Sequence, residues 1–330
     1  MLSMLNGSHA AQLFVGMYLI QGFGSLFGPS PVAPAPQQSK KKKSSSSKKK
    51  KQSDEICYET LMESIHSSFG SIIMATGIVG FCMLFMNWNV QLALGLSQTF
   101  TCIMQLYSII SNGNYSLLSF KKSSSSASSN AELNGEWMSI LLTALPAYAC
   151  LMGKSHALDW TRIVAASWFI NGIQCILDPS KGIASFAANR GLLNEVSTSW
   201  ITATTTSSSS SSLLPTTSNK QRKQQRHHRH VLTMFSTLSL WQLNYSTVLF
   251  CLAQGLGPAK AIGCGSIFGI MQLLSFLNIA DAMEIEDCEY LREYDNIAAE
   301  EGDVMQQVPR FVFDAFAVLF FGLLAMMLFL

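Results

Sequence analysis

A few polar side chains lie inside otherwise apolar stretches, where any chemistry performed within a membrane would have to take place. Gln105 and Gln272 hold matching places in two similar strings, CIMQLYS (102–108) and GIMQLLS (269–275). Asn171 and Gln174 stand three apart, so they share one face of a helix. Asp314 is the one ionisable residue well inside an apolar run. An intramembrane carboxylate is costly and points to a site or pathway, and amides can hydrogen-bond a small polar solute. The plainer use of the amides, Gln98, Gln242 and Asn244 included, is hydrogen bonding between helices at about 0.6 kcal/mol each. Gln105, Gln272, Asn171, Gln174 and Asp314 are therefore the candidate binding residues.

Catalytic patterns are missing from the sequence. It holds no HExxH, no GxSxG, no phosphate loop and no paired histidine boxes. His66, Asp281 and Asp314 could act on a lipid near an interface, but no two of them form a recognisable pair. Asp281, Glu284 and Glu286 offer the oxygens a hard cation prefers, yet their spacing fits no calcium loop. Of eight cysteines, six lie in apolar stretches and none forms a CxxC, so they read as small packing residues. No catalytic residue, metal centre or cofactor is expected.

The elements that would position these residues follow from the distribution of charge. Only 13% of the 330 residues are charged, and none of Ser64 to Phe120 is Asp, Glu, Lys or Arg. Between Val231 and Ala280 the single formal charge is Lys260. A soluble core helix keeps a polar face, and these stretches have none. The sequence predicts an all-α integral membrane protein with eight spans near 10–28, 69–87, 90–111, 137–153, 161–178, 231–254, 258–280 and 309–330. Asn87-Trp88-Asn89 and Gly255-Leu256-Gly257 leave room only for tight helical hairpins.

The spans are written twice. IQGFGSLFGPS (20–30) and INGIQCILDPS (170–180) align at an offset of 150, pairing Ile20, Gly22, Pro29 and Ser30 with Ile170, Gly172, Pro179 and Ser180. Each copy continues with a polar insert, a hairpin, a connector and one more span. Residues 1–153 and 154–330 are thus expected to be two four-helix membrane repeats. Connectors on one side of the expected topology hold 19 of the 22 Lys and Arg residues; Lys154, Arg162 and Lys260 alone lie opposite. Basic loops stay cytosolic, which puts both termini outside or in a lumen and makes the repeats parallel. A cleaved signal peptide over residues 1–35 is the competing reading. It suits SPVAPA, but MLSMLNGSH has no basic residue, and cleavage would reverse the charge bias.

Two inserts, 30–55 and 201–230, have compositions that bury nothing and are expected to lack fixed structure. Lys40 to Lys51 read either as a solvated spacer or as a surface for anionic lipid headgroups, at about 1 kcal/mol per basic residue. The loop 281–303 holds ten of the twenty acidic residues and could recruit a protein partner. No nucleic-acid partner is expected. Three functions fit: a carrier or channel for a small, weakly polar solute between the two units, a non-catalytic scaffold or assembly factor, and a lipid-modifying enzyme. The carrier leads by a small margin.

Overall fold

A computed structural model describes residues 7–27, 46–111, 127–189, 219–271 and 310–329. Gln272, Asp281, Lys40 to Lys43 and the acidic loop 281–303 lie outside the described residues. The described residues form nine helices and no strand. In chain order these are α1 (Gly7–Phe27), α2 (Ser46–Leu84), α3 (Val90–Ser111), α4 (Ala127–Leu151), α5 (Ala157–Leu177), α6 (Pro179–Asn189), α7 (Asn219–Ala253), α8 (Pro258–Met271) and α9 (Arg310–Phe329).

By length and composition, α1 and the Leu61–Leu84 part of α2 can cross a membrane. Apolar helices at Ser139–Leu151, Pro258–Met271 and Phe320–Phe329 are shorter. The eight expected crossings thus reduce to two that qualify on their own among the described residues. Polar residues thin the apolar character of two of the others. Ser97, Gln98, Thr99, Thr101 and Gln105 in α3, and Asp159, Thr161, Arg162, Asn171 and Gln174 in α5, dilute the apolar character without breaking the helix.

Two helices begin earlier than expected. α2 starts at Ser46 and α7 at Asn219, inside the stretches expected to lack fixed structure; residues 30–45 and 201–218 lie outside the described residues. Lys, Gln and Arg are good helix formers, and a helix nucleated by a packed apolar segment extends outward one hydrogen bond per residue. The short turns fall where the sequence placed them. Asn87, with φ of 52°, and Gly255, with φ of 87°, take the left-handed conformation that ends α2 and α7. The Asn89 side chain then accepts the Leu92 N–H at 2.8 Å and starts α3.

Each helix packs on its neighbour in a ring. α1 lies on α2, α2 on α3, α3 on α4, α4 on α5, and α5 on α7, while α9 returns to α1 and α2 meets α7 across the middle. α8 joins α7 through Gly265 and α9 through Gly263. Two close approaches depend on glycine. A Cβ at Gly22 would sit 2.7 Å from the Met74 nitrogen of α2, and one at Gly172 would sit 2.8 Å from Leu243 Cδ2 of α7. The buried faces of the two partners also agree. Gly7, Ala11, Phe14, Val15, Tyr18 and Gly22 of α1 each lie 150 positions before a buried residue of α5: Ala157, Thr161, Val164, Ala165, Trp168 and Gly172. The outward face agrees as well, with Leu13, Ile20, Phe23 and Phe27 exposed like Ile163, Ile170, Ile173 and Leu177.

Candidate functional site: an amide-lined cleft where α5 meets α6

Asp178 and Pro179 interrupt what would otherwise be one long helix. Pro179 has no N–H to donate to the α5 ladder, and Asp178 leaves helical geometry at φ −134° and ψ 77°. The same pair restarts the chain as α6. Asp178 Oδ1 accepts the Lys181 N–H at 3.1 Å as an N-cap, with Pro179 at the first helical position. Lys181 Nζ lies 2.9 Å from Asp178 Oδ2. The Lys181 ammonium, and after it the Lys181 N–H, hold the Asp178 carboxyl below the usual carboxylate range.

The break leaves a cleft of about 500 Å³ between α5, α6 and α7. Its floor is apolar, made by Cys175, Leu238 and the ring of Phe235, which stacks edge-on against Phe186 of α6 at 5.7 Å. Gly182 is needed here, since a Cβ would meet Phe235 at 2.6 Å. Asn171 and Gln174 of α5 form one wall, Ser239 and Gln242 of α7 the other, and Asp178 with Lys181 the rim. Gln242 is anchored by donating to the Trp168 carbonyl at 3.1 Å, and Ser239 by donating to the Phe235 carbonyl at 2.9 Å. Asn171 and Gln174 are exposed, and neither side-chain amide has a hydrogen-bond partner among the described residues. They are the free donors and acceptors of the cleft.

The five candidate residues therefore divide. Asn171 and Gln174 meet in the cleft. Gln105 sits elsewhere, on α3, with Oε1 buried and unpartnered. Gln272 is outside the described residues, and Asp314 is placed only by its backbone in α9. Gln242 was read from the sequence only as an interhelical amide, and Lys181 and Ser239 were not singled out there. The one signal for them was Asp178-Pro179, which marks a helix start as readily as a helix end.

A second set of polar groups is buried among α1, α3, α5, α7 and α8, where Gln98 Oε1 and Asn244 Oδ1 have no partner and the hydroxyls of Tyr18 and Tyr245 are paired. Tyr18 Oη of α1 meets Ser266 Oγ of α8 at 2.5 Å and accepts from Asn244 Nδ2 of α7 at 3.4 Å. Tyr245 Oη of α7 meets Ser97 Oγ of α3 at 3.0 Å and accepts from Thr101 Oγ1 at 3.3 Å. Gln98 Nε2 donates to Thr161 Oγ1 at 3.2 Å. At the far end of α5, Arg162 binds Asp159 at 2.8 Å and donates twice to the last carbonyl of α7, Ala253, at 3.1 and 2.7 Å. These contacts hold the helices in register. Comparison with protein-family models, with characterised proteins and with solved structures finds no match to this chain.

Proposed function

We propose that this chain is a polytopic membrane protein of two parallel four-helix units, 1–153 and 154–330, which carries a small, weakly polar ligand bound in the α5–α6–α7 cleft. The observation that carries this reading is the pair of exposed, unpartnered amides, Asn171 and Gln174, on the wall of that cleft. Two amides, a hydroxyl and a compensated ion pair suit a ligand that is polar without net charge. The membrane placement is supported by the two helices of spanning length and by the apolar residues on the outer faces of α1 and α5. The two-unit architecture is supported by the 150-residue correspondence of buried positions and by equivalent helix pairings, α1 on α2 as α5 on α7, and α4 on α5 as α9 on α1. The asymmetry of Lys and Arg supports a topology with both termini outside or in a lumen. Relative to a site between the units, the cleft moves the ligand wholly into the second one.

The test is stopped-flow swelling of vesicles holding the purified full chain, with glycerol and urea as probes. Faster entry than in protein-free vesicles, slowed by Asn171→Trp with Gln174→Trp, is the expected result. Entry no faster than in empty vesicles would sink carriage. It would favour a second reading, a non-catalytic scaffold, for which the hydrogen bonds tying α1 to α8 and α3 to α7 speak.

A further inference from the structure

The geometry points to a zwitterionic phospholipid as the occupant of the cleft, its headgroup across the Asp178–Lys181 pair and its chains along the outer face of α5. This deepens the reading above and rests on it in one respect, that α5 crosses a membrane. α5 carries a charged pair at each end, Asp159 with Arg162 and Asp178 with Lys181. Arg162 and Asp178 are separated by about 24 Å of helix, most of the about 30 Å of a hydrocarbon layer. The cleft then sits at one membrane face, where headgroups are.

The wall chemistry narrows the occupant. Ile170, Ile173 and Leu177 are 57%, 38% and 78% exposed, and they alternate with Asn171 and Gln174 along the same stretch of α5. At a membrane face these two amides, without a protein partner among the described residues, are open to the polar atoms of a headgroup. A molecule arriving from the bilayer with polar atoms at one end and chains at the other satisfies both sets of residues.

Charge decides the headgroup. Lys181 is already matched by Asp178 at 2.9 Å, so the rim is neutral and has no surplus attraction for an anionic lipid. A headgroup holding both signs can engage each member. Its ammonium donates to the Asp178 carboxylate, and its phosphate oxygens accept from the Lys181 ammonium and from the side-chain NH₂ groups of Gln174 and Asn171. The volume of about 500 Å³ lies within the range of about 300–1,000 Å³ that small ligands use.

The experiment measures retention of lipids by the full chain in detergent micelles by native mass spectrometry. The probes are dioleoyl phosphatidylethanolamine, dioleoyl phosphatidylglycerol, dioleoylglycerol and water-soluble glycerophosphoethanolamine. The ethanolamine lipid should bind at least about tenfold tighter than the other two lipids, and glycerophosphoethanolamine should not displace it. Asn171→Leu with Gln174→Leu should reduce its binding to the level of dioleoylglycerol. Lys181→Glu should weaken it too, at a side chain that is 88% exposed and so unable to disturb folding by burial. Equal retention of dioleoylglycerol, preference for phosphatidylglycerol, full displacement by glycerophosphoethanolamine, or indifference to both variants would each overturn the lipid occupant. If the lipid binds as expected but glycerol and urea enter vesicles no faster than in empty ones, carriage alone fails. If the tryptophan pair blocks entry and no lipid is selected, the lipid occupant alone fails.

Discussion

At the end of α1, the chain closes onto α2. Gly70 admits it there, since a Cβ at that position would lie 2.9 Å from Ser25 Cβ and 3.1 Å from Leu26 Cγ. At the end of α5, the facing helix α7 presents Phe235, Leu238 and Ser239 instead, and the cleft opens between them. The two helices nevertheless bury the same six positions and cross at the same glycine. A shared helical pattern settles which faces meet, while the residue at one end of the crossing decides whether a space remains. Two helices with the same buried pattern can thus border a packed crossing in one place and an open cleft in the other.

This comparison can be broken most decisively by topology. Single cysteines placed at Ser3 and Ser45, in a background without native cysteines, should label from opposite sides of the membrane. Labelling from the same side would leave the first half without a crossing that the second half has, and the two-unit reading would be lost. Next in size are the two crossing glycines, and they should not be equal. A methyl at Gly22 meets the Met74 backbone nitrogen at 2.7 Å and Cα at 2.9 Å, which cannot step aside, whereas one at Gly172 meets the end of the Leu243 side chain. Gly22→Ala should cost about 3 kcal/mol and Gly172→Ala about 1 kcal/mol, near the two ends of what overpacking costs. Unfolding midpoints in detergent measure both, and equal losses would mean that the two crossings are equally tight.

Smaller effects are expected from the tyrosines that link the halves. Tyr18→Phe and Tyr245→Phe each remove one hydroxyl with two partners, and each should cost about 1 kcal/mol. A loss confined to one of them would show that the halves are joined from one side only. The smallest effect is the titration of Asp178, which belongs to the second half alone. Because Lys181 lowers its folded pKa, the stabilisation is present above the unfolded carboxylate value of about 4 and is lost as pH falls through the folded value below it. Asp178→Asn should therefore melt below the parent at neutral pH and converge with it only in acid. A gap that persists in acid would assign the loss to something other than ionisation.

Several of these elements were legible in the sequence and others were not, for physical reasons. The matching faces of α1 and α5 could be read because glycine and the apolar residues around it recur at fixed spacing. The turns at Asn87 and Gly255 could be read because few residues accept a positive φ. α6 was missed because eleven residues, most of them small or apolar, look like the tail of a span, and only Asp178-Pro179 separates them from it. The helical starts of α2 and α7 reach into the two polar inserts, since composition reports what a segment cannot bury while a packed neighbour can still extend a helix into it. Of the site, Asn171 and Gln174 stood out as amides in an apolar run, but Lys181 and Gln242 needed the fold to bring them across. The tyrosine links were invisible, since Tyr18 and Ser266 are 248 residues apart and tyrosine reads as apolar.

The length of α2 has a further consequence. Its 39 residues run from Ser46 to Leu84, and the spanning part begins only at Leu61. If the helix stands along the membrane normal, Lys51 is held about 15 Å beyond the apolar boundary, about two screening lengths at physiological ionic strength. At that distance the Lys48 to Lys51 segment is largely hidden from the charge of the headgroups below. The basic run of α7, in contrast, ends at Arg229, two residues from the apolar part that starts at Val231.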